Sequence, residues 1–326
     1  MPSIFWIPYL ALSQSCLEEV KALRHHPLAP WTFLAVPLIL YGIWVIYPTF
    51  ATFFLAFTDW DGFSSLADAR RVGFANFERL FNDSTFWKAV TNNLKWIAVF
   101  ITIPTTLGLA LALVLNTDIK FDRFLKISYY LPMVLAFVVI GLIWSWIYHP
   151  AQGLINSTLA GFLGLLKNLG FAVDPDSARR IGWLAKPDLV LWSVIGAAVW
   201  RQVGYVMILY LAGLKTVDPA LIDAAKVDGA EKWNLFRFVV FPLLAPITTI
   251  VVVISIIDSL RAFDLVWVMT RGGPFHSSEV LANFMYLEAF NNYSMGYAAA
   301  IGVILFLISL GFIATYMWRI VKEEEA

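Results

Sequence analysis

The amino-acid sequence predicts an all-α membrane protein with six transmembrane helices. Of its 326 residues, 60% are hydrophobic and 14% are charged, against about 45–50% and about 25% in soluble domains. The mean hydropathy is +0.73, and a soluble domain this apolar would have too little polar surface. Six stretches reach the roughly 20 apolar residues that a helix needs to cross a bilayer: 31–57, 94–115, 129–148, 189–213, 246–270 and 296–318.

The composition also excludes several kinds of function. The net charge is zero, so no overall field would attract a nucleic acid. Cys16 is the only cysteine, so we expect no intrachain disulfide and no metal site. The sequence contains no Gly-Lys pair and hence no ATP-binding loop of the Walker type. No catalytic residues and no bound cofactor are therefore expected in this chain.

Residues 1–30 are predicted to form an N-terminal tail. Their apolar run, 4–12, is too short to span a bilayer and predicts a helix lying at the membrane surface; a plain hydrophobic tail fits the pattern equally well. Six spans place both termini on one side, and the basic loop with Lys120, Arg123 and Lys126 favours the cytoplasm. Residues 31–320 then form the membrane domain, and 321–326 a cytoplasmic tail.

The loop between the fourth and fifth spans, 214–246, predicts two helices outside the bilayer. Asp218 followed by Pro219 is typical of a helix start, and Gly229 of a helix end. A second helical stretch follows until Pro242. Small side chains near the end of the first helix would let another protein approach the backbone closely: Ala224, Ala225 and Ala230. A hairpin folded back on its own bundle fits the same pattern, so both interpretations stay open.

This loop resembles the EAA motif of the membrane subunits of binding-protein-dependent ABC importers. The matching residues are Asp223-Ala224-Ala225, Asp228-Gly229-Ala230, Phe236, Pro242 and Pro246. The family usually has Glu where Asp223 stands, so the carboxylate here is one methylene shorter. Other segments resemble the carbohydrate-uptake branch, namely the first permease of the maltose, multiple-sugar and glycerol-phosphate pairs. They are 72–77, 130–132, 153–156 and the turn Thr270-Arg271-Gly272-Gly273-Pro274.

The resemblance covers about residues 31–320 and implies a type I ABC importer permease fold with a cytoplasmic coupling helix. It implies a prokaryotic cell membrane and a second six-span permease as the heterodimer partner. It also implies two copies of an ABC ATPase that bind ATP and Mg²⁺, and an extracytoplasmic solute-binding protein. The coupling residues would be Asp223, Ala224, Ala225, Asp228, Gly229 and Ala230.

Polar residues at membrane depth mark a candidate substrate path, because they are costly there unless they face a cavity or a partner. The fourth span holds Arg201, Gln202 and Tyr205; the fifth holds Ser255, Asp258, Ser259, Arg261 and Asp264. By the resemblance, Gln202, Tyr205, Ser255 and Ser259 match sugar-contact positions of maltose-type relatives.

The charged residues of the fifth span have two interpretations. Asp258, Arg261 and Asp264 are spaced i,i+3 on a helix and are predicted to form intramembrane ion pairs. Such a network would be structural, whereas unpaired charges would contact the substrate. Arg201 would likewise either pair with Asp258 or Asp264 or contact the substrate.

The resemblance thus predicts a non-catalytic permease subunit of an ATP-driven carbohydrate importer. An importer of sugar phosphates or polyol esters is the nearest alternative, with Arg201 and Arg261 binding the anion. A proton-coupled carrier would use Asp258 and Asp264 as relay carboxylates. A membrane-embedded enzyme lacks a visible nucleophile and base.

Overall fold

The computed structural model describes residues 29–117 and 119–324. The surface helix predicted for residues 4–12 lies outside these ranges. The described residues divide into two compact units, one up to residue 54 and the other from residue 55 onward. Apart from one β-bridge between Thr58 and Arg71, the regular structure of the described residues is helical.

The first unit holds one helix whose middle turn is π-helical. Helix α1 (Ala29–Tyr41) is followed by π-helical Gly42–Ile46 and by α2 (Tyr47–Leu55). Pro48 has no amide hydrogen to donate, and the wider π-helical turn lies just before it. Residues Phe33–Leu55 are long and apolar enough to cross a membrane.

The second unit contains the remaining helices. They are α3 (Ala75–Asn82), α4 (Ser84–Leu115), α5 (Asp122–Val134), α6 (Phe137–Ile147), α7 (Leu154–Asn168), α8 (Asp176–Arg179), α9 (Pro187–Leu214), α10 (Pro219–Val227), α11 (Lys232–Leu235), α12 (Phe241–Leu243), α13 (Ala245–Leu260), α14 (Asp264–Met269), α15 (Leu281–Tyr286) and α16 (Met295–Glu324). Two more π-helical segments, Phe236–Val240 and Leu287–Asn291, precede α12 and follow α15.

Six spans were predicted. The described residues hold four continuous helices that are long and apolar enough to span a membrane, and six candidate spans when each of two bent helix pairs is counted as one. The third span bends by 104° between α5 and α6, where Leu135 and Ala136 adopt extended backbone angles. The fifth span was predicted over 246–270; the candidate span instead consists of Lys232–Leu243 and Ala245–Leu260, with a bend of 65° between them. Helix α13 ends at Leu260, and α14 starts at Asp264 beyond a break.

Helix α9 is the packing centre of the second unit. A Cβ atom on its Gly204 would lie 1.9 Å from the Tyr129 carbonyl oxygen of α5. On its other neighbour, α4, a Cβ on Gly108 would lie 2.6 Å from the Val206 side chain. Glycine at these positions therefore lets the helices approach closely, as is usual in membrane bundles. Buried Ala112 and Met207 belong to the same core cluster as Val206.

Candidate functional site

An open polar cavity of about 180 Å³ lies where the interrupted fifth span passes α4, α6 and α9. Its wall carries five polar or charged residues: Arg201, Gln202, Asp258, Arg261 and Asp264. Its aromatic wall is formed by Trp96, Phe100, Phe137 and Phe263. Hydrogen-bonding groups and flat apolar faces therefore share one space, which is the usual composition of a small-molecule site.

The break in the fifth span creates this cavity, and Asn93 of α4 holds the break open. Its Nδ2 atom donates to the Ser259 carbonyl at 2.9 Å, next to the end of α13. Its Oδ1 atom accepts from the Leu281 amide, at the start of α15, at 2.9 Å. One buried side chain thus satisfies backbone groups at two helix ends, which would be costly if left unpaired. Asn93 was not among the site residues predicted from the sequence, although an Asn-Asn pair beside an apolar run was the available signal.

The predicted intramembrane ion pairs are wrong. No nitrogen of Arg201 or Arg261 in the described structure lies within 4.0 Å of a carboxylate oxygen of Asp258 or Asp264. The i,i+3 spacing assumed a continuous helix, whereas Arg261 already has non-helical backbone angles and Phe263 has φ −137° and ψ −58°. The charges of the fifth span therefore point into the cavity rather than along one helix face.

Two of the cavity charges, Asp258 and Arg201, have weak contacts with uncharged side chains instead. Gln202 Nε2 donates to Asp258 Oδ2 at 3.3 Å. The Arg201 guanidinium carbon lies 4.1 Å above the centre of the Phe137 ring, a cation–π contact. The Arg201 Nε atom is buried without a hydrogen-bond partner. Asp258, Arg261 and Asp264 are exposed at the cavity, so donors and acceptors remain available to a ligand.

Three other residues of the predicted substrate path do not line this cavity. Ser255 and Ser259 are fully buried, and the Ser259 hydroxyl donates to the Ser255 carbonyl within the helix. Their helix face packs toward α4, where Asn93 binds the Ser259 carbonyl. Tyr205 is half-buried and lies outside the cavity wall. Arg201, Gln202 and Asp258 are the members of the predicted path that the structure brings together.

A second polar cluster surrounds Glu279, whose side chain is fully buried. Its two carboxylate oxygens contact Asn283 Nδ2 and His276 Nδ1, the latter at 3.0 Å. Asn92 Nδ2 donates to the Glu279 carbonyl at 2.9 Å. Gly272 has φ +84°, and a Cβ atom there would lie 2.3 Å from the Glu279 carboxylate. Burial raises the pKa of the Glu279 carboxyl, while the hydrogen bonds from Asn283 and His276 oppose that shift.

The 214–246 loop forms the two predicted helical stretches and is largely exposed. The second stretch, Lys232–Leu243, was predicted outside the bilayer and is instead part of a bent candidate span. Asp218 caps α10 by accepting from the Ala220 amide at 2.8 Å. Gly229 ends the helix with φ +83°, and nothing lies within 4 Å of a Cβ placed there. Helix α10 has no buried residue, which favours an open face over a hairpin packed on its own bundle. Asp223 is exposed and lies 3.0 Å from Lys226 Nζ.

The motif residues share this exposed face or border it. Ala224, Asp228 and Gly229 are exposed, and Ala225 and Ala230 are half-buried. The Ala230 amide donates to the Ala225 carbonyl at 2.9 Å, which closes the turn after the helix. The coupling segment predicted from the sequence is thus one continuous structural unit.

Comparison with known proteins places this architecture in a family. Residues 104–322 match the binding-protein-dependent transport system inner membrane component family. The chain is 36% identical to a probable ABC transporter permease protein of Pyrococcus horikoshii, covering 93% of this chain and 100% of the relative. It is 31% identical to a probable starch degradation products transport system permease protein of Thermoanaerobacterium thermosulfurigenes, covering 85% and 89%.

The fold is also that of a solved transporter. A bacterial ABC transporter involved in the import of the acidic polysaccharide alginate matches with a TM-score of 0.75 at 20% identity, covering 93% of this chain and 98% of that chain. The chain belongs to the binding-protein-dependent transport system inner membrane component family. It is a multi-pass permease of the ABC importer class, as the resemblance predicted.

Proposed function

We propose that this chain forms half of the translocation pore of an ATP-driven importer of a carbohydrate. The observation that carries the choice of substrate is the cavity, where amide, carboxylate and guanidinium groups face the same space as aromatic rings. A sugar hydroxyl both donates and accepts hydrogen bonds, so it can bridge Asp258 and Arg201. The C–H faces of a sugar ring fit the aromatic wall. The relative named for starch degradation products supports the same class.

The chain needs a partner to use ATP, since its sequence contains no Gly-Lys pair. The exposed α10 and its Gly229 turn are the surface proposed to dock on one of two copies of an ABC ATPase that bind ATP and Mg²⁺; the second permease would dock on the other copy. The open face around Ala224 and Ala225 allows close approach of a cleft wall. Asp223 is exposed and available for a charge-assisted hydrogen bond to that subunit. A second six-span permease and a solute-binding protein complete the proposed assembly, with both termini in the cytoplasm.

The test is purification of the tagged chain in mild detergent from cells that co-express its neighbouring genes. We expect a second permease and a nucleotide-binding subunit to copurify, and ATPase activity to rise when a sugar-loaded binding protein is added. Recovery of the chain without an ATPase would contradict the proposed coupling and turn attention to a proton relay through Asp258 and Asp264.

Coupling is tested separately with Gly229→Asp and Ala225→Arg. Asp is among the side chains that tolerate a positive φ, and the space around Gly229 is empty, so this variant should fold and insert. We expect sugar-dependent ATP hydrolysis to be lost in both variants at normal membrane levels. Asp176→Arg, on the exposed helix α8, is the matched surface control and should keep wild-type uptake. Normal uptake by Gly229→Asp would refute the assignment of the docking surface.

A sugar phosphate is a second candidate, because the buried Arg201 Nε atom has no partner. Two carboxylates, Asp258 and Asp264, face the same cavity and would repel such an anion. Competition of uptake by glycerol phosphate, but not by neutral sugars, would favour this candidate.

A further inference from the structure

Four aromatic side chains in contact with one another lie on α14, α15 and the residues that adjoin these helices. Phe263 lines the cavity, and its ring centre lies 6.0 Å from that of Trp267 and 5.2 Å from that of Tyr286. Trp267 and Tyr286 are 4.7 Å apart, and Phe290 is 4.9 Å from Tyr286. We name this set, Phe263, Trp267, Tyr286 and Phe290, the aromatic collar.

The collar is not part of the buried core. Core aromatic side chains such as Trp96 and Phe100 are 2% and 4% exposed. By contrast, Phe263, Trp267 and Tyr286 are half-buried, and Phe290 is 56% exposed. The collar therefore keeps an open face, which adjoins the cavity through Phe263.

Charged groups border the collar. Arg261 and Asp264 flank Phe263 in the chain, and both are exposed. The Arg271 guanidinium carbon lies 5.4 Å from the centre of the Trp267 ring. Exposed charges of both signs are unfavourable against lipid hydrocarbon. This border therefore favours a polar occupant with apolar faces over an acyl chain.

The cavity is too small to enclose an oligosaccharide by itself. Pockets that enclose a small molecule usually measure about 300–1,000 Å³, whereas this cavity holds about 180 Å³. A ligand with one unit inside must pass its next unit over the adjoining surface, and Phe263 joins that surface to the cavity. Aromatic rings bind the C–H faces of sugar rings, while the hydroxyl edges stay free for polar partners.

We propose that the aromatic collar is a second sugar subsite, so that the transported carbohydrate is an oligosaccharide with one ring in the cavity and the next on the collar. This inference rests on the proposed function and adds to it the length of the substrate. The collar lies beyond α13, whose 16 residues separate it from the coupling segment by about 24 Å. It therefore belongs to the end of the pathway away from the proposed ATPase.

The test compares short and long sugars on the complete importer in proteoliposomes, with the same binding protein throughout. The probes are radiolabelled glucose and maltopentaose, xylose and xylopentaose, and N-acetylglucosamine and chitopentaose; KM is compared within the series that the wild type carries. A monosaccharide fills the cavity alone, whereas a pentasaccharide also reaches the collar. For Trp267→Leu and Tyr286→Leu we expect KM for the pentasaccharide to rise about 3- to 10-fold, with KM for the monosaccharide changed less than 2-fold. Tyr286→Phe, which keeps the ring, should restore wild-type KM.

Phe63→Leu is the matched control, because Phe63 is 76% exposed and pairs with Tyr293 rather than with the collar. This variant should leave KM for both sugars unchanged. An equal change for short and long sugars in the collar variants would overturn the second subsite while the proposed function stands. Transport of monosaccharides but of no longer sugar would also overturn the second subsite and leave the proposed function standing. If the wild type transports no sugar of the panel and no other monosaccharide, the proposed function fails, and this inference fails with it.

Discussion

Two polar regions lie at the two ends of α14, and their charged side chains differ in exposure and in pairing. At its first residue, Asp264 lines the open cavity with Arg201 and Asp258, and none of these charges is within ion-pair distance of another. Beyond its last residue, the Glu279 carboxylate is fully buried and contacts Asn283 and His276. The charged groups are thus open and not in ion pairs at one end, and enclosed and hydrogen-bonded at the other.

The difference separates structural from binding groups. A buried charge stays in a fold only when neighbouring groups hydrogen-bond to it, and removing one partner leaves the other unsatisfied. Unpaired groups at an open cavity carry no such constraint, and their hydrogen-bonding capacity is available to a ligand. We therefore assign the Glu279 cluster to stability and the cavity to recognition.

The largest expected effect is on stability, from Glu279→Ala. This change removes the acceptor of Asn283 and His276, and each donor left without a partner costs about 1–3 kcal/mol when buried. The variant should insert poorly, and its thermal midpoint in detergent should fall well below that of the wild type. Glu279→Gln, which keeps an acceptor for Asn283, is the control. A normal thermal midpoint for Glu279→Ala would show that the Glu279 cluster does not stabilise the fold.

Asp258→Asn should impair uptake without lowering stability, whereas Glu279→Ala should lower stability. Asparagine keeps an oxygen for Gln202 but loses the charge, and a hydrogen bond to a charged group contributes about 1.5–3 kcal/mol. We expect KM for uptake to rise roughly 10- to 100-fold, with the thermal midpoint unchanged. Asp176→Asn on exposed α8 is the matched control for loss of a carboxylate. A lower midpoint with normal KM would show that Asp258 is structural.

The parts of this comparison that were predictable from the sequence rest on local signals. Asp218, Pro219 and Gly229 define α10 through capping rules that act within a few residues, and the structure follows them. Polarity at membrane depth likewise identified Arg201 and Asp258 as cavity residues. Both signals depend on the residue and its immediate neighbours, so one chain is enough to detect them.

The break of the fifth span was not predictable in this way. The apolar pattern runs through 246–270, while the backbone groups at the break bind Asn93, which is 166 positions away from Ser259. The ion pairs expected for Asp258, Arg261 and Asp264 failed for the same reason, because their spacing assumed an unbroken helix. The collar depends on the packing of α14 against α15, which no local periodicity encodes.

The pH dependence of stability gives a second test of the structural role of Glu279. Burial holds the pKa of the Glu279 carboxyl above its ordinary value of 4.5, so the folded state binds its proton more tightly than the unfolded state. Its contribution to stability is therefore complete below pH 4.5 and is lost as the pH rises through the folded-state pKa. Glu279→Gln should flatten this part of the profile of thermal midpoint against pH. An identical slope in wild type and variant would exclude Glu279 as its source.

The smallest effect is expected where charges are paired but exposed. Lys226 Nζ lies 3.0 Å from Asp223 on α10, and the two side chains are 58% and 71% exposed. Exposed pairs contribute about 0–1 kcal/mol, so Lys226→Ala should leave the thermal midpoint unchanged while freeing Asp223 for a partner subunit. Asp223→Ala should likewise keep the midpoint but lower sugar-dependent ATP hydrolysis. A clear loss of stability in Lys226→Ala would mean that pairing, rather than burial, distinguishes the structural charges of this protein.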